Sequence, residues 1–214
     1  MIALWIEQVD GSWFAVAHHG DRLVATAIGA DRDRASQSAR ASLPRAVRHH
    51  VEEQGSEYAR AVVRLLARLE AGTEGAPAFE LCPDCVGEPL ASVAQIASAI
   101  PRGFVATYGG IASAAGTDAR VVGRIMATNP LYPIIPCHRV VGADLSLVGY
   151  TGSQGAAALR AKLERLRAER GGHAGAREVR TPLASVTLEV HPVEAVIARA
   201  ARDGIDDGGQ LTFW

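Results

Sequence analysis

Between Gly72 and Pro89 the chain runs through a stretch rich in glycine, proline and acid, and this break constrains the fold more than any other feature. Such residues interrupt regular structure rather than continue it. The stretch therefore reads as a linker at about 72–89, with residues 1–88 and 90–170 as separate domains. Upstream, Ile2–Gln8 alternates weakly, Trp13–Ala17 is apolar and Leu23–Ile28 reads as a third strand. Turns at Asp10-Gly11-Ser12 and His18-His19-Gly20-Asp21 separate them, which predicts an antiparallel meander. Helical patterning follows over Ala35–Leu43 and again over Arg45–Leu69, where Val62, Leu65, Leu66 and Leu69 recur at helical spacing. Strands followed by helices predict an α+β domain.

Downstream, Ser92–Ile100 reads as a short helix and Pro101-Arg102-Gly103 as a turn. Tyr108–Ala115 and Asp118–Thr128 then form two helices joined at Gly116-Thr117, which is helix-turn-helix spacing. Thr117 suits the N-cap and Asp118 the first turn of the second helix. In that helix Val122, Ile125 and Met126 make an apolar stripe. Ala119, Gly123 and Ala127 form a face with almost no bulk, flanked by Arg120 and Arg124. A bare face suits either close helix packing or a narrow DNA groove; the minor groove, about 6 Å wide, excludes bulky side chains. A last amphipathic helix spans about Ser153–Arg170 on Leu159, Leu163 and Leu166 and ends at Gly171-Gly172. Residues 171–214 hold a β-like run at Ala184–Val190, a helix at Val193–Ala201 and a Gly/Asp stretch leading to Leu211-Thr212-Phe213-Trp214.

The formal net charge of −1 conceals a strong asymmetry. Residues 1–91 carry nine arginines against thirteen acids, which is −4; residues 171–214 carry four arginines against six acids, which is −2. Between them, residues 92–170 set eight arginines and Lys162 against four acids, which is +5. A positive segment of this kind suits phosphate binding, although a solvated basic face would look the same. No apolar run approaches the roughly 20 residues of a membrane helix. The N-terminus lacks the basic and apolar regions of a secretory signal, so a cytoplasmic protein is expected.

Cysteine is scarce. Cys82-Pro83-Asp84-Cys85 is a CxxC without a second pair, at most half a zinc site, and nothing in the spacing of His18, His19, His49 or His50 completes it. Two free thiols are the expectation, with a disulfide or a metal as the alternatives. Cys137 stands apart, set in Ile134-Ile135-Pro136-Cys137-His138-Arg139 ahead of Val140-Val141. A thiolate is the nucleophilic form, and a nearby imidazole promotes it. His138 would act through a water rather than by direct contact. A buried cysteine serving only as a small hydrophobe is the competing reading.

Pro136-Cys137-His138-Arg139-Val140, preceded by Asn129-Pro130, resembles the active-site signature of the O6-alkylguanine-DNA alkyltransferases. Thr107-Tyr108-Gly109-Gly110-Ile111-Ala112, Ala119-Arg120-Val121-Val122-Gly123 and Leu147-Val148-Gly149-Tyr150-Thr151-Gly152 extend the likeness over roughly residues 92–170. The resemblance implies a small ribonuclease-H-like α+β N-terminal domain and a mainly helical C-terminal domain with a helix-turn-helix. It implies repair by direct reversal: the alkyl group of O6-alkylguanine in double-stranded DNA passes to Cys137 once, in a monomer needing no cofactor or metal.

By the same resemblance His138 deprotonates Cys137 and a glutamate of the last helix orients the imidazole. Counting without gaps from Tyr150 points to Glu164, the expected partner. Lys-to-Glu spacing points instead to Glu169, which requires extra residues near Ser153–Ala157. Asn129 would brace the active-site segment, Arg120 would fill the space of an extruded nucleotide, and Tyr108 would press the flanking phosphate. Ala119, Gly123, Ala127 and Arg124 would lie against DNA. Pro136, Val140, Tyr150 and Thr151 would shape the pocket. Two rivals remain: a lesion-recognising relative that transfers nothing, and a Cys-His hydrolase. Members of the family commonly stop soon after the helix, so residues 171–214 depart from the pattern and have no expected role.

Overall fold

The computed structural model describes residues 1–44, 47–72, 79–82, 84–183 and 186–205. It forms two compact units, Met1–Ala94 with Pro130–Ile135, and Gln95–Asn129 with the chain from Pro136 onward. The division falls inside helix α3 (Leu90–Ser98), after the expected linker, of which residues 73–78 and 83 lie outside the described residues.

In the first unit the expected meander is present as β1 (Ile2–Val9), β2 (Ser12–His19) and β3 (Arg22–Gly29). Asp10 and Gly11 take positive φ in the first turn, and Gly20 does so in the second. Phe14–His18 are buried without alternation, so both faces of the sheet are covered. Helix α1 (Arg32–Ala41), capped by Asp31, places Ala35 and Ala39 against Ile2, Leu4 and Ile6.

The helix expected over Arg45–Leu69 is shorter than its pattern. His49–Val51 forms strand β4, parallel to β1, and α2 runs only over Glu57–Glu70. Residues 45 and 46 lie outside the described set. β1 would otherwise be a sheet edge with unpaired backbone groups. Ile2 N donates to Arg48 O at 3.0 Å and Glu52 N donates to Leu4 O at 3.0 Å, so pairing overrides the local pattern. Gly55 lies so close to the Trp5 ring that a Cβ would meet it at 2.5 Å, and Ser56 Oγ caps α2 by accepting from Ala59 N. Pro130–Ile135, read from sequence as part of the active-site loop, belongs to this unit. Thr26 N donates to Pro130 O at 2.8 Å and Thr26 Oγ1 donates to Tyr132 O at 2.7 Å.

The second unit contains its own sheet, in the order β6-β5-β8-β7. Its strands are β5 (Phe104–Thr107), β6 (Val140–Val141), β7 (Arg177–Arg180) and β8 (Thr187–Pro192). The segment expected to be mainly helical is therefore itself mixed, and two of its strands come from residues 171–214. The β-like run placed at Ala184–Val190 begins later, with residues 184 and 185 outside the described set, as is the segment 206–214. Helices α4 (Tyr108–Ala114), α5 (Ala119–Thr128), α6 (Ala156–Ala168) and α7 (Val193–Arg202) complete the unit. Asp118, not Thr117, caps α5, its carboxylate accepting from Arg120 N at 2.7 Å. Leu159, Leu163 and Leu166 of α6 pack with Val193, Val196 and Ala200 of α7 and with Val105 and Val141 of the sheet. Among the described residues no helix is long and apolar enough to cross a membrane.

Candidate active site

Cys137 opens a single 3₁₀ turn, Cys137–Arg139, that feeds directly into β6. Pro136 precedes the turn and its carbonyl accepts from Arg139 N at 2.8 Å. β6 runs parallel to β5, pairing Val140 with Ala106 and Val141 with Thr107. A three-residue turn locked to a buried strand leaves the Cys137 backbone little freedom. Cys137 is only 4% exposed, yet it borders a cavity of about 530 Å³. Burial pushes the Cys137 pKa up; the side-chain hydrogen bond of Asn129 and the charges of Lys162 and Arg165 work against that rise. Asn129, at φ +21°, ends α5, so this helix and the sulfur share one amide.

Behind the turn lies a buried charge cluster. His138 Nε2 contacts Glu169 Oε1 at 2.8 Å, and His138 Nδ1 has no hydrogen-bond partner among the described residues. Arg139 grips both oxygens of the same carboxylate, Nη2 donating to Oε1 at 2.8 Å and Nε to Oε2 at 2.9 Å. Its Nη1 donates to Ile100 O at 2.8 Å. Burial alone would raise the Glu169 pKa, but the hydrogen bonds and charges of His138 and Arg139 bring it down to about 2. Burial lowers the His138 pKa while Glu169 opposes the change. A carboxylate that stays ionised can orient an imidazole and stabilise its protonated form, as in a Ser-His-Asp arrangement.

The geometry corrects the expectation of Glu164. That residue is exposed on the far side of α6, whereas Glu169 lies at the C-cap. At 3.6 residues per turn, Lys162, Leu166 and Glu169 share one stripe, while Glu164 points about 200° from Lys162. The extra length that counting without gaps ignores is taken up before the helix. Tyr150 and Ser153 pair in a tight turn, with Thr151 at φ +48° and Gly152 at φ +76°, and α6 starts only at Ala156.

Lys162 belongs to the site's structure, although the sequence did not single it out. It is fully buried, and its Nζ donates to Val140 O at 2.6 Å, Gly149 O at 3.1 Å and Val148 O at 3.2 Å. It thereby ties β6 to the cavity wall beyond the loop. Burial lowers its pKa to about 8, opposed by the charge of Cys137. A signal existed: Lys162 is the only lysine beside 21 arginines, and it falls on the apolar stripe of α6. Arginine cannot shed its proton on burial, whereas lysine can.

The opposite wall is α5. Ala119, Arg120, Arg124 and Ala127 are exposed and line the cavity with Gly123. A Cβ on Gly123 would meet nothing within 4 Å, so the bare face does not pack against another element here. Tyr108 begins α4, its pKa pushed to about 12 by burial and by the Cys137 charge. Its hydroxyl donates to Val148 O at 3.4 Å, and Tyr150 and Thr151 border the same cavity. Val140 takes part through its carbonyl, held by Lys162. In the other unit Cys82 and Cys85 are free thiols with sulfurs 2.8 Å apart. Among the described residues no group of three or more His, Cys, Asp or Glu side chains is placed to hold a metal.

Residues 89–171 match the family model for the 6-O-methylguanine DNA methyltransferase, DNA binding domain. A methylated-DNA--protein-cysteine methyltransferase from Pyrobaculum aerophilum is 60% identical over 53 residues, 25% of this chain and 36% of that protein. The matched stretches span between 29% and 48% of the curated relatives' own lengths. The O6-methylguanine-DNA methyltransferase structure from Pyrococcus kodakaraensis superposes with a TM-score of 0.51 at 26% identity, covering 78% of this chain and 99% of that one. A Mycobacterium tuberculosis OGT in complex with DNA gives a TM-score of 0.52 at 25% identity, covering 78% and 94%. The likeness read from the sequence is borne out.

Proposed function

We propose that this chain repairs DNA by direct reversal, moving the alkyl group of O6-alkylguanine to Cys137. Sulfur is a soft, strong nucleophile once deprotonated. His138, oriented by Glu169, accepts the thiol proton through a bridging water. The thiolate attacks the alkyl carbon, the C–S bond forms as the C–O bond breaks, and guanine leaves with its oxygen and regains a proton. The resulting thioether has no easy leaving path, so each molecule reacts once.

Guanine O6 is hidden inside a duplex, so the nucleotide must be extruded to reach a buried sulfur. On this reading α4 and α5 act as a helix-turn-helix whose bare face enters the minor groove. Arg120 fills the vacated stack, Arg124 meets a phosphate and Tyr108 presses the flanking phosphate. Tyr150, Thr151 and the backbone of Cys137 and Val140 hold the base. The meander and its helices are assigned a ribonuclease-H-like arrangement. Three free thiols suit a reducing, cytoplasmic compartment, and the protein acts as a monomer.

The observation that carries this reading is the position of Cys137, at the border of a cavity whose one wall is the bare α5 face, with the His138–Glu169 pair behind it. Intact mass after incubation with an alkylguanine oligonucleotide tests it. One alkyl mass per chain, mapped to Cys137 and lost in Cys137→Ser with DNA binding retained, is the expected result. Mass on Cys82 or Cys85, or sustained turnover, overturns it.

A further inference from the structure

Glu169 stands one residue beyond the end of α6, where a helix frays and a side chain has no regular backbone to fix it. Its short contacts to His138 and Arg139 need that C-terminal turn to be held from outside. The described residues show what holds it. Glu194, in the first turn of α7, accepts from Gly172 N at 2.8 Å and Gly171 N at 3.3 Å. Its other oxygen is buried without a hydrogen-bond partner among the described residues, so the grip runs through Oε1 alone. From the other side, Gly103 N donates to Glu169 Oε2 at 3.4 Å, and Gly103 O accepts from Val193 N at 3.0 Å. Gly103 thus joins the carboxylate to the start of α7.

The remaining contacts point the same way. Arg102 Nη2 donates to Ala168 O at 2.7 Å. The His173 ring lies 4.6 Å from that of Phe104, and Arg177 of β7 sits 4.0 Å over the same Phe104. β8 pairs with β5 at Phe104↔Pro192 and Val105↔His191. At φ +81°, Gly103 admits no side chain here, since a Cβ would meet the His173 ring at 2.7 Å.

We infer that the described residues 171–183 and 186–205, through Glu194, are a brace that positions Glu169 against His138, and that Glu194 is a positioning residue for Cys137 activation. Glu194 touches neither the sulfur nor the cavity. It acts through Gly171 and Gly172, then Glu169, then His138. The inference rests on the proposed function only for its meaning in alkyl transfer; the geometry concerns deprotonation of Cys137 by any route. The other charged groups acting on the pair are Arg139 and Arg165 at His138, and Lys162 and Arg165 at Cys137. None of them is altered by a change at Glu194.

The test uses the full chain and a small haloacetamide, with modification of Cys137 followed by mass mapping across pH. Wild type, Glu194→Ala and Glu194→Gln are compared, with Glu169→Gln as the reference for a lost orienting carboxylate. Glu194→Ala should move the midpoint of Cys137 reactivity to higher pH and slow modification at neutral pH by roughly tenfold, part of the 10²–10⁴ that a positioned base contributes. Glu194→Gln, which keeps an acceptor oxygen, should restore most of the wild-type profile. A Glu194→Ala profile that coincides with wild type overturns the inference. So does an equal loss in both variants, which would mean action by charge rather than by acceptance. A uniform slowing at every pH, tracking a lower melting temperature, would make Glu194 merely structural and overturns it too. Failure of the wild type to take alkyl from an oligonucleotide would instead sink the proposed function and leave these haloacetamide profiles standing.

Discussion

The two sides of Cys137 are built on opposite principles. Behind the sulfur, His138, Arg139, Lys162 and Glu169 are packed away from water, and the hydrogen-bond capacity of the Glu169 carboxylate and the Lys162 ammonium is used within the unit. In front, the face of α5 is exposed, carries two arginines and offers no bulk between them. Buried charges paired in fixed geometry are costly to assemble but need no rearrangement when a proton moves. An open face does nothing until a partner arrives. On the proposed function, chemistry is thus prepared in advance, while recognition is deferred to the encounter.

The comparison breaks most sharply at the buried side. Glu169→Gln should slow transfer by about a hundredfold or more, because the orienting charge behind the base is gone. The loss should be similar on duplex DNA and on the free alkylguanine base. Glu164→Gln should change neither by more than about twofold, as expected of an exposed surface acid. Single-turnover rates of both variants decide this; equal losses would restore Glu164 to the site.

At the open side the effect should depend on the substrate. Arg120→Ala should cost one to two orders of magnitude on duplex DNA, roughly the few kcal/mol of holding a nucleotide out of the stack. On the free base, where nothing has to be opened, it should cost far less. Arg124→Ala should weaken binding uniformly and reduce the salt slope by about one. Equal loss on both substrates for Arg120→Ala would make that arginine structural, and the contrast between the two sides would fall with it.

The last effect is on stability. The Glu169 carboxyl titrates at about 2 in the folded chain, below its ordinary 4.5. A depressed carboxyl pKa contributes stability that is present above about 4.5 and lost as pH falls towards 2. Denaturant unfolding at pH 5 and pH 3 should therefore show a larger acid loss in wild type than in Glu169→Gln. Parallel losses would mean that Arg139 and His138 hold the carboxylate less firmly than their distances indicate.

How far these sides could be read in advance follows from what each depends on. The α5 face and the stripe of α6 are periodic, and the meander is marked off by its turns at Asp10-Gly11 and Gly20; both kinds of signal are visible in sequence. The family resemblance was legible because five consecutive residues, Pro136–Val140, carry its core. Glu169 was misjudged because its place depends on a non-periodic count, the residues consumed between Tyr150 and Gly155. β4, β5 and β7 were missed for a related reason: three or four residues show no alternation, and each forms because a neighbouring strand presents free backbone groups. The burial of Lys162 follows from three carbonyls contributed by distant segments, β6 and the 148–149 backbone, which no local window contains.

The bare face of α5 has a thermodynamic corollary. Docking normally freezes flexible side chains, at roughly 0.5–1.5 kcal/mol for each rotamer-rich one. Ala119, Gly123 and Ala127 have no rotamers to lose. Immobilisation on this surface is confined to the two arginine stems, and the backbone beneath is already fixed by the Asp118 cap and the Val122 and Met126 packing. A partner that follows the helix closely meets a surface whose order was established during folding. The entropic toll of association then falls almost wholly on the incoming molecule, whose own stiffness becomes the quantity that sets how tightly it is held.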